Sequence, residues 1–431
     1  MKETKSYALT LPQFIAWNAE QLSANKSLVN LCGMMKLPGT IQFPVMNKAV
    51  NLTVAQHDGL RLRMMEQNGD VRQHVTAYQE KAIDFLDFSK PGGQADLHVW
   101  RRETAGKPFE LLNSDLFYFA LLKLDDAEFG LFFKLHHLIA DDWSITVILN
   151  QIMRNYHDLQ QGIPVETGLI SSFENYLISL EKASGLNLLK LVAKFFMDKF
   201  TSRPAAIQIK PHQESDDHTA ARRTFTAPFE FEREVKNYAL EKHTTVFQIF
   251  LAGLSLLLSL KNQAEDTGIG ALFHGRMTPE HMETAGMFVK FVPFRIRVDR
   301  SNSVDAFMKR IALLWLANIK NQPPQLNLAE LTEIFEKVDY LFDVLLSYQS
   351  NLPDLTVETF HEDMEIQPIS LMIYILDSPS GGMKLEFTYR TAWFTGREVE
   401  IIYQQLMDLI TAMIRNPMRQ LGTFSMDHRD E

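Results

Sequence analysis

The sequence predicts an α/β protein made of two lobes of comparable size, and three observations lead to this class. The chain has 431 residues, more than one hydrophobic core usually serves. Both halves alternate segments of two-residue apolar period, typical of strands, with segments of helical period. No period of roughly 20 to 50 residues repeats, which excludes a solenoid or propeller. We therefore expect a first lobe at residues 1–175 and a second at residues 176–431.

The first half opens with a helix near residues 12–22, with Pro12 in its first turn. The predicted elements that follow are a helix ending near Arg61, strands near residues 63–74, 117–124 and 131–137, and a helix over residues 145–156. A loop at residues 162–164 then precedes a helix after Ser172, and we place the lobe boundary in this region.

The second half follows a polar connector at residues 210–217 and repeats the α/β pattern. Its predicted elements are a strand at residues 223–229, helices near residues 231–241 and from Thr244, strands at residues 268–273 and 383–389, and a terminal helix over residues 399–413. The helix from Thr244 is apolar almost throughout. Because it is shorter than the ~20 residues of a membrane span, we interpret it as a buried helix.

Composition excludes several classes of partner. The net charge is -10 and no basic run is present. Nucleic acids and anionic membranes bind clustered Lys and Arg, so the sequence argues against both as partners. The single cysteine, Cys32, allows no internal disulfide and fits a reducing compartment. The N-terminal residues contain no apolar core of signal-peptide length. We expect a cytoplasmic monomer with no nucleic-acid or membrane partner.

The strongest candidate for a reaction centre is the segment from His136 to Ser144, where a predicted strand turns into a predicted helix. Side chains alternate across a strand, so His136 and His137 point to opposite faces. His137 shares a face with Leu131, Phe133 and Leu135. Asp141 or Asp142 stands where a helix needs an N-cap acceptor.

An imidazole at the end of a rigid strand can act as a general base, because its ordinary pKa of about 6.5 leaves it neutral near pH 7. Two other interpretations remain open on these residues alone. The histidines can be ordinary half-buried side chains, with Asp141 only a helix cap. A metal site is the third interpretation, although adjacent histidines on opposite faces chelate poorly and no HExxH or cysteine cluster accompanies them.

With these pieces in place, nearly the whole chain resembles the condensation domains of nonribosomal peptide synthetases, in the chloramphenicol acetyltransferase-like superfamily. The family pattern HHxxxDG is matched by His136, His137 and Asp141, with Asp142 in place of the glycine, and Trp143-Ser144 is also family-like. Further family blocks are matched, in order, by residues 11–17, 56–61, 172–176, 269–276, 286–290 with 292–293, and 341–349.

The resemblance implies two acetyltransferase-like lobes in a V-shaped pseudo-dimer with a central substrate tunnel. A donor acyl thioester would enter from one side and an acceptor amine from the other. Both would be carried on phosphopantetheine arms of peptidyl or acyl carrier proteins, or the donor on CoA, with adjacent synthetase domains as partners. No metal or cofactor would be bound by this chain. The positions that match tunnel residues are Gly286, Phe288, Ser347 and Gln349.

The resemblance also implies roles for the motif. His137 would take a proton from the attacking amine or orient that amine, and these two roles are not separable from sequence. His136 would be structural, and Trp143 and Ser144 would support the loop. Asp141 would pair with an arginine, for which Arg61 is the first choice and Arg276 the second.

The functional prediction is amide bond formation between the acyl or peptidyl donor and the aminoacyl acceptor. The family blocks begin close to Met1, which is compatible with a chain-initiating role. One alternative is an acyl-CoA-dependent O- or N-acyltransferase, although residues 387–394 lack the DFGWG block of the plant-type branch. A catalytically silent docking module is another alternative, motivated by Asp142.

Overall fold

The computed structural model describes residues 5–23, 25–27, 29–183, 198–200, 202–211, 215, 217, 219–320, 341–350, 357–359, 369–377 and 382–425. These residues form two compact units. The first unit contains the chain up to Ala183 together with the segment His274–Lys290 and the strand Val357–Thr359. The other described residues form the second unit.

This division differs from a single cut after residue 175. The helix Phe173–Ala183 buries Phe173 and Leu177 in the core of the first unit, and the segment His274–Lys290 adds Met287 and Phe288 to the same core. A segment belongs to the unit in which its apolar side chains are buried, and order along the chain does not reveal this.

The described strands of the first unit form two sheets. They are β1 (Tyr7–Ala8), β2 (Asn30–Pro38), β3 (Leu62–Gln67), β4 (Asp70–Val75), β5 (Asp84–Asp87), β6 (Phe117–Asp125), β7 (Glu128–His136) and β12 (Val357–Thr359). The larger sheet has the order β12-β2-β7-β6-β5, and the smaller one has the order β1-β4-β3.

The described residues of the first unit also form helices. They are α1 (Leu11–Leu22), α2 (Phe43–Gln56), α3 (Gly93–Gly106), α4 (Asp142–Gln160), α5 (Phe173–Ala183) and α8 (Pro279–Met282), with a short 3₁₀ helix at Asp58–Arg61. The other helices are numbered below in chain order.

The histidine-bearing strand β7 occupies the middle of the larger sheet. It pairs antiparallel with β2 on one side and with β6 on the other. Leu131, Phe133 and Leu135 enter the main core of the unit, whereas Phe132 enters a smaller cluster on the opposite face with Cys32 and other residues. The predicted alternation along this strand is therefore confirmed.

The single strand predicted at residues 63–74 is wrong, because β3 and β4 form a hairpin there. The turn residues are Asn68 and Gly69, with φ of 57° and 83°. Positive φ at both central residues is the geometry of a tight hairpin turn, and Asn-Gly is its strongest sequence signal.

The described strands of the second unit form a six-stranded sheet. Its strands are β8 (Ala220–Thr226), β9 (Asp266–Phe273), β10 (Lys290–Arg297), β11 (Val344–Ser350), β13 (Leu371–Asp377) and β14 (Lys384–Arg390). Their order in the sheet is β10-β9-β11-β13-β14-β8. The described helices of this unit are α6 (Phe229–Glu241), α7 (Val246–Asn262), α9 (Val304–Lys320) and α10 (Gly396–Arg415), with a 3₁₀ turn at Leu421–Thr423.

Helix α7 confirms the prediction of a buried helix from Thr244, since all residues from Val246 to Ser259 are buried. Thr245 and Gln248 form a capping box at its start. A side chain at Gly253 would place its Cβ 2.5 Å from the side chain of Ile410, so glycine allows α10 to approach closely.

Among the described residues, no single helix is long and apolar enough to cross a membrane. The pair α6 and α7, bent by 108° at the break between them, meets the criterion of length and composition only when the two helices are taken together. The connector predicted at residues 210–217 lies partly outside the described residues.

Candidate functional site

The candidate site is the turn between β7 and α4, and the predicted order of strand, loop and helix is confirmed. Strand β7 ends at His136, one residue earlier than predicted, and α4 begins at Asp142. Asp141 is the N-cap of α4, where its side chain accepts a hydrogen bond from the backbone N–H of Ser144. The cap fixes the point at which extended chain becomes helix.

His137 is half-buried just beyond the end of the strand. Its backbone N–H donates to the Val29 carbonyl at 3.0 Å, and its Nδ1 lies 3.0 Å from the Ala140 carbonyl oxygen. A carbonyl oxygen can only accept, so Nδ1 donates to it and Nε2 is the ring nitrogen that can accept a hydrogen bond. Nε2 makes no hydrogen bond with the described residues. The ring is therefore oriented as a proton acceptor or hydrogen-bond acceptor.

His136 is fully buried and satisfied at both ring nitrogens. Its Nε2 lies 2.5 Å from Oε2 of Glu20, and its Nδ1 accepts the backbone N–H of Leu138 at 3.1 Å. Burial lowers the pKa of His136, and the opposing effect of Glu20 does not restore it. The ring is therefore neutral and donates from Nε2 to Glu20. This geometry supports the structural role predicted for His136.

Asp141 pairs with Arg276, so the assignment of Arg61 as its partner is wrong. Arg276 Nη1 lies 2.7 Å from Oδ2 of Asp141, and Nη2 lies 2.9 Å from Oδ1. Both side chains are almost inaccessible to solvent, at 0% for Arg276 and 5% for Asp141. The contact is a bidentate ion pair, the geometry in which arginine and carboxylate match best.

Further donors surround the same carboxylate. The backbone N–H of Phe288 donates to Oδ2 at 2.9 Å, that of Val289 at 3.2 Å, and that of Ser144 to Oδ1 at 2.9 Å. Burial by itself would raise the pKa of Asp141, but Arg276 and these hydrogen bonds outweigh burial and hold it below its ordinary value. Asp141 therefore joins the start of α4 to the segment His274–Lys290 as a buried anion.

Ser144 and Phe288 complete the surroundings of Arg276. Nη2 also lies 2.9 Å from Oγ of Ser144, which in turn lies 2.6 Å from the Gly286 carbonyl. The guanidinium carbon stands 4.4 Å from the centre of the Phe288 ring, a cation–π arrangement. Arg276 is thus held by charge, hydrogen bonds and an aromatic face together.

Arg61 instead binds backbone carbonyls near the end of α2. Its guanidinium donates to the carbonyls of Thr76 at 2.7 Å, Val54 at 3.2 Å and Ala55 at 3.4 Å. The last carbonyls of a helix have no partner within the helix, and a cation suits that negative end of the helix dipole. Arg61 therefore caps α2.

Asp142 and Trp143 lie on the first turn of α4. Asp142 is exposed at the first helical position, where a carboxylate is favourable, and it does not have positive φ. Its replacement of the family glycine therefore imposes no backbone strain. Trp143 is half-buried, donates from Nε1 to the Met282 carbonyl at 2.9 Å and stacks on His274.

Gly286 and Phe288 have packing roles in the first unit. A Cβ on Gly286 would lie 2.1 Å from the ring of Phe173, so only glycine allows this approach. Phe288 is fully buried, with its ring centre 4.5 Å from that of Tyr176. A contact of either residue with substrate stays a prediction.

Ser347 and Gln349 lie on β11 of the second unit. Ser347 is 4% exposed and Gln349 is half-buried. Their assignment to a substrate tunnel also stays a prediction.

Sequence reasoning missed Glu20 and Asp58. Asp58 is buried and accepts from Oγ of Ser172 at 2.6 Å and from the backbone N–H of Phe173 at 2.7 Å, so it caps the start of α5. Both acidic residues lie inside or near family blocks, but their partners are far along the chain and no local pattern indicates them. The described residues contain no cluster of His, Cys, Asp or Glu that could hold a metal ion.

Comparison with known proteins places this chain in a family. The family model for the condensation domain matches residues 3–431. A plipastatin synthase protein of Bacillus subtilis (strain 168) is 26% identical over 439 residues, covering 99% of this chain and 17% of that protein. Surfactin synthase subunit 1 of the same organism is 24% identical over 439 residues, covering 98% of this chain and 12% of that protein. The chain thus spans a small part of the length of these relatives.

Solved structures agree in fold. The starter condensation domain of rhizomide synthetase RzmA superposes with a TM-score of 0.82 at 18% identity, covering 98% of this chain and 99% of that one. The first condensation domain of the calcium-dependent antibiotic synthetase gives a TM-score of 0.79 at 15% identity, covering 98% and 100%. The predicted two-lobed, acetyltransferase-like α/β fold is confirmed. Since the family model spans residues 3–431, the chain belongs to the condensation-domain family of nonribosomal peptide synthetases.

Proposed function

We propose that this chain forms an amide bond between an acyl or peptidyl thioester donor and the amine of an aminoacyl acceptor. The donor and acceptor would be presented on phosphopantetheine arms of carrier proteins, or the donor on CoA. The observation that carries the proposal is the fixed ring of His137, with Nδ1 on the Ala140 carbonyl and Nε2 left as the acceptor. Family membership supports the reaction class.

In the proposed reaction the amine nitrogen attacks the thioester carbonyl carbon. The new C–N bond forms, the C–S bond breaks, and the proton lost by the amine passes to the leaving thiolate. Nε2 of His137 is suited to hold the amine by a hydrogen bond as it attacks and to carry that proton. General base catalysis of this kind contributes about 10²- to 10⁴-fold in rate. Most of the remaining acceleration then comes from holding the two reactants together.

The buried pair of Asp141 and Arg276 supports the proposed role of His137 by holding the loop in place. It fixes the first turn of α4 against the segment that carries Phe288, so the loop between β7 and α4 has two rigid ends. A reacting group held within a fraction of an ångström of its productive position needs such support. The exposed position of Asp142, without positive φ, argues against a loop distorted by this replacement, and so supports the catalytic proposal over a silent docking module.

The test is product formation by purified protein with defined thioesters. The starter domain of rhizomide synthetase has been solved in complex with C8-CoA and Leu-SNAC, and these two compounds are suitable first probes. Carrier proteins loaded with acyl and aminoacyl groups form the second set. Intact-mass detection of the amide product is expected for the wild type, and His137→Ala should lower the turnover about 10²-fold or more.

Two further variants sharpen the result. His157→Ala removes an exposed histidine at the far end of α4 and should leave turnover unchanged. His137→Gln keeps a hydrogen-bond acceptor without a basic nitrogen. Retained activity in this variant would indicate that His137 orients the amine, and a loss equal to that of His137→Ala would indicate proton transfer.

Equal turnover of wild type and His137→Ala would overturn the catalytic assignment. Absence of any product from the wild type, together with retained binding of loaded carrier proteins, would favour the docking module instead.

A further inference from the structure

Side chains bind both backbone polar groups of Leu138, the residue after His137. We call this arrangement the Leu138 clamp. Leu138 lies beyond the end of β7, so its peptide groups have no partner within the sheet. Its N–H donates to Nδ1 of His136 at 3.1 Å, and its carbonyl accepts from Nε2 of Gln13 at 2.8 Å. Two side chains therefore hold both polar groups of Leu138.

Helix α1 supplies both anchors. Gln13 binds the Leu138 carbonyl directly, and Glu20 binds the ring of His136 that receives the Leu138 N–H. The two residues lie two helical turns apart, so they share one face of the helix. Gln13 is 0% exposed and Glu20 is 2% exposed.

Gln13 is itself locked by a second amide, that of Gln73 on β4. Nε2 of each amide donates to Oε1 of the other, and both distances are 2.7 Å. Oε1 of Gln13 also accepts the Thr10 N–H at 2.9 Å, and Nε2 of Gln73 donates to the Ala8 carbonyl at 2.9 Å. These backbone groups can only donate or only accept, so they fix the orientation of both amides.

We propose that Gln13, locked by Gln73, is a positioning residue for His137. The proposal rests on the proposed function, in which His137 holds the attacking amine. By binding the Leu138 carbonyl, the Gln13 amide fixes the plane of the peptide group between Leu138 and Ile139. The orientation of this peptide group sets the turn that brings the Ala140 carbonyl to Nδ1 of His137. That contact decides which ring nitrogen is free to act.

Because the Leu138 clamp is buried, it favours a single conformation of the loop. A buried carbonyl without a donor is unfavourable, so the loop keeps the one arrangement in which the Leu138 carbonyl is bonded. Without Gln13, the carbonyl has no other donor among the described residues, and the turn is free to find other conformations. A displacement of about 1 Å at a reacting group can cost 10²-fold in rate.

The first measurement is steady-state turnover with C8-CoA and Leu-SNAC. Gln13→Met keeps the length of the side chain but removes the donor, and it should lower kcat about 10- to 100-fold with both KM values unchanged. Gln73→Met leaves the hydrogen bond from Gln13 to the Leu138 carbonyl in place but removes the two hydrogen bonds that orient the Gln13 amide. It should therefore lower kcat by a smaller factor. Asn51→Leu is the control, because Asn51 is another buried amide of the first unit that bonds Asn47 and Lys81 rather than the loop.

The second measurement does not depend on turnover. Nitrogen chemical shifts of ¹⁵N-histidine-labelled protein report which ring nitrogen carries the proton, and the signal of His137 is identified by its loss in His137→Ala. The wild type should show the Nδ1-protonated form. Gln13→Met should show a mixture of the two forms, Gln73→Met a smaller admixture, and Asn51→Leu the wild-type signal.

An unchanged His137 signal in both Gln13→Met and Gln73→Met would overturn the positioning role, as would a rise in KM in place of a fall in kcat. If the wild type itself gives no product, the proposed function fails. The ring signals then still decide whether Gln13 positions His137.

Discussion

Replacement of Arg276 by methionine should destabilise the first unit strongly, because it leaves the Asp141 carboxylate buried without its cation. Loss of one partner of a buried ion pair costs about 3 to 5 kcal/mol. Three backbone N–H groups, those of Ser144, Phe288 and Val289, would still donate to the carboxylate. We therefore expect about 3 kcal/mol, the lower end of this range.

Hydrogen exchange detected by mass spectrometry is the assay, because it measures the free energy of local opening. A loss of about 3 kcal/mol corresponds to a roughly 100-fold fall in protection. The fall should appear in peptides that contain the Ser144 and Phe288 amides, which donate to Asp141. The matched control is Arg415→Met, which breaks the bidentate pair of Arg415 with Glu234. Arg415 is 61% exposed, so that loss should stay below about 1 kcal/mol.

The pH dependence of the stability lost in Arg276→Met is a further test, because its direction follows from the pKa of Asp141. In the wild type the pKa of Asp141 lies below its ordinary value, so the stabilisation is present at neutral pH and is lost as pH falls through the folded-state pKa. In Arg276→Met burial is no longer outweighed by the cation, and the pKa of Asp141 rises. The variant then takes up a proton first, and its deficit relative to wild type should shrink as the pH is lowered. A deficit below about 1 kcal/mol at neutral pH would show that Asp141 does not depend on Arg276 for its charge.

Two more predictions concern packing and a buried histidine. Gly286→Ala should cost about 1 to 3 kcal/mol in the free energy of unfolding, since its Cβ would lie 2.1 Å from the ring of Phe173. Gly168→Ala, where no atom lies within 4 Å of the added Cβ, is the control, and equal urea midpoints for the two variants would contradict the expectation. Burial lowers the pKa of His57 to about 4, with Arg154 adding to the effect, and both ring nitrogens lack a hydrogen-bond partner among the described residues. Its contribution to stability is present above the unfolded-state pKa of about 6.5 and falls by about 3 kcal/mol as pH drops through 4. In His57→Leu, the free energy of unfolding measured with urea should depend less on pH between these values. An unchanged slope with pH would show that His57 does not cause the pH dependence.

Local patterns predicted much of the fold because helices, strands and caps depend on neighbouring residues. The period of residues 145–156, with a cap at Asp141 or Asp142, sufficed to place α4, and the structure has Asp141 as the cap. The hairpin between β3 and β4 is equally local, because its Asn-Gly turn is a short-range sequence signal. The division of the chain was less accessible, because the segment His274–Lys290 joins the first unit through long-range packing.

For the site, the order of residues alone indicated the proposed reacting group and its framework: two histidines that a strand must separate, followed by a carboxylate in position to cap a helix. It also indicated the family, because several blocks recur in order along the chain. Long-range packing, by contrast, selects the arginine that neutralises Asp141 and the amide that holds Leu138. Sequence favoured Arg61 over Arg276, but no periodicity links Asp141 to either residue, because both are distant along the chain. Desolvation makes the choice, since a carboxylate inside the core must meet a cation that is buried with it, and only folding brings Arg276 to that place.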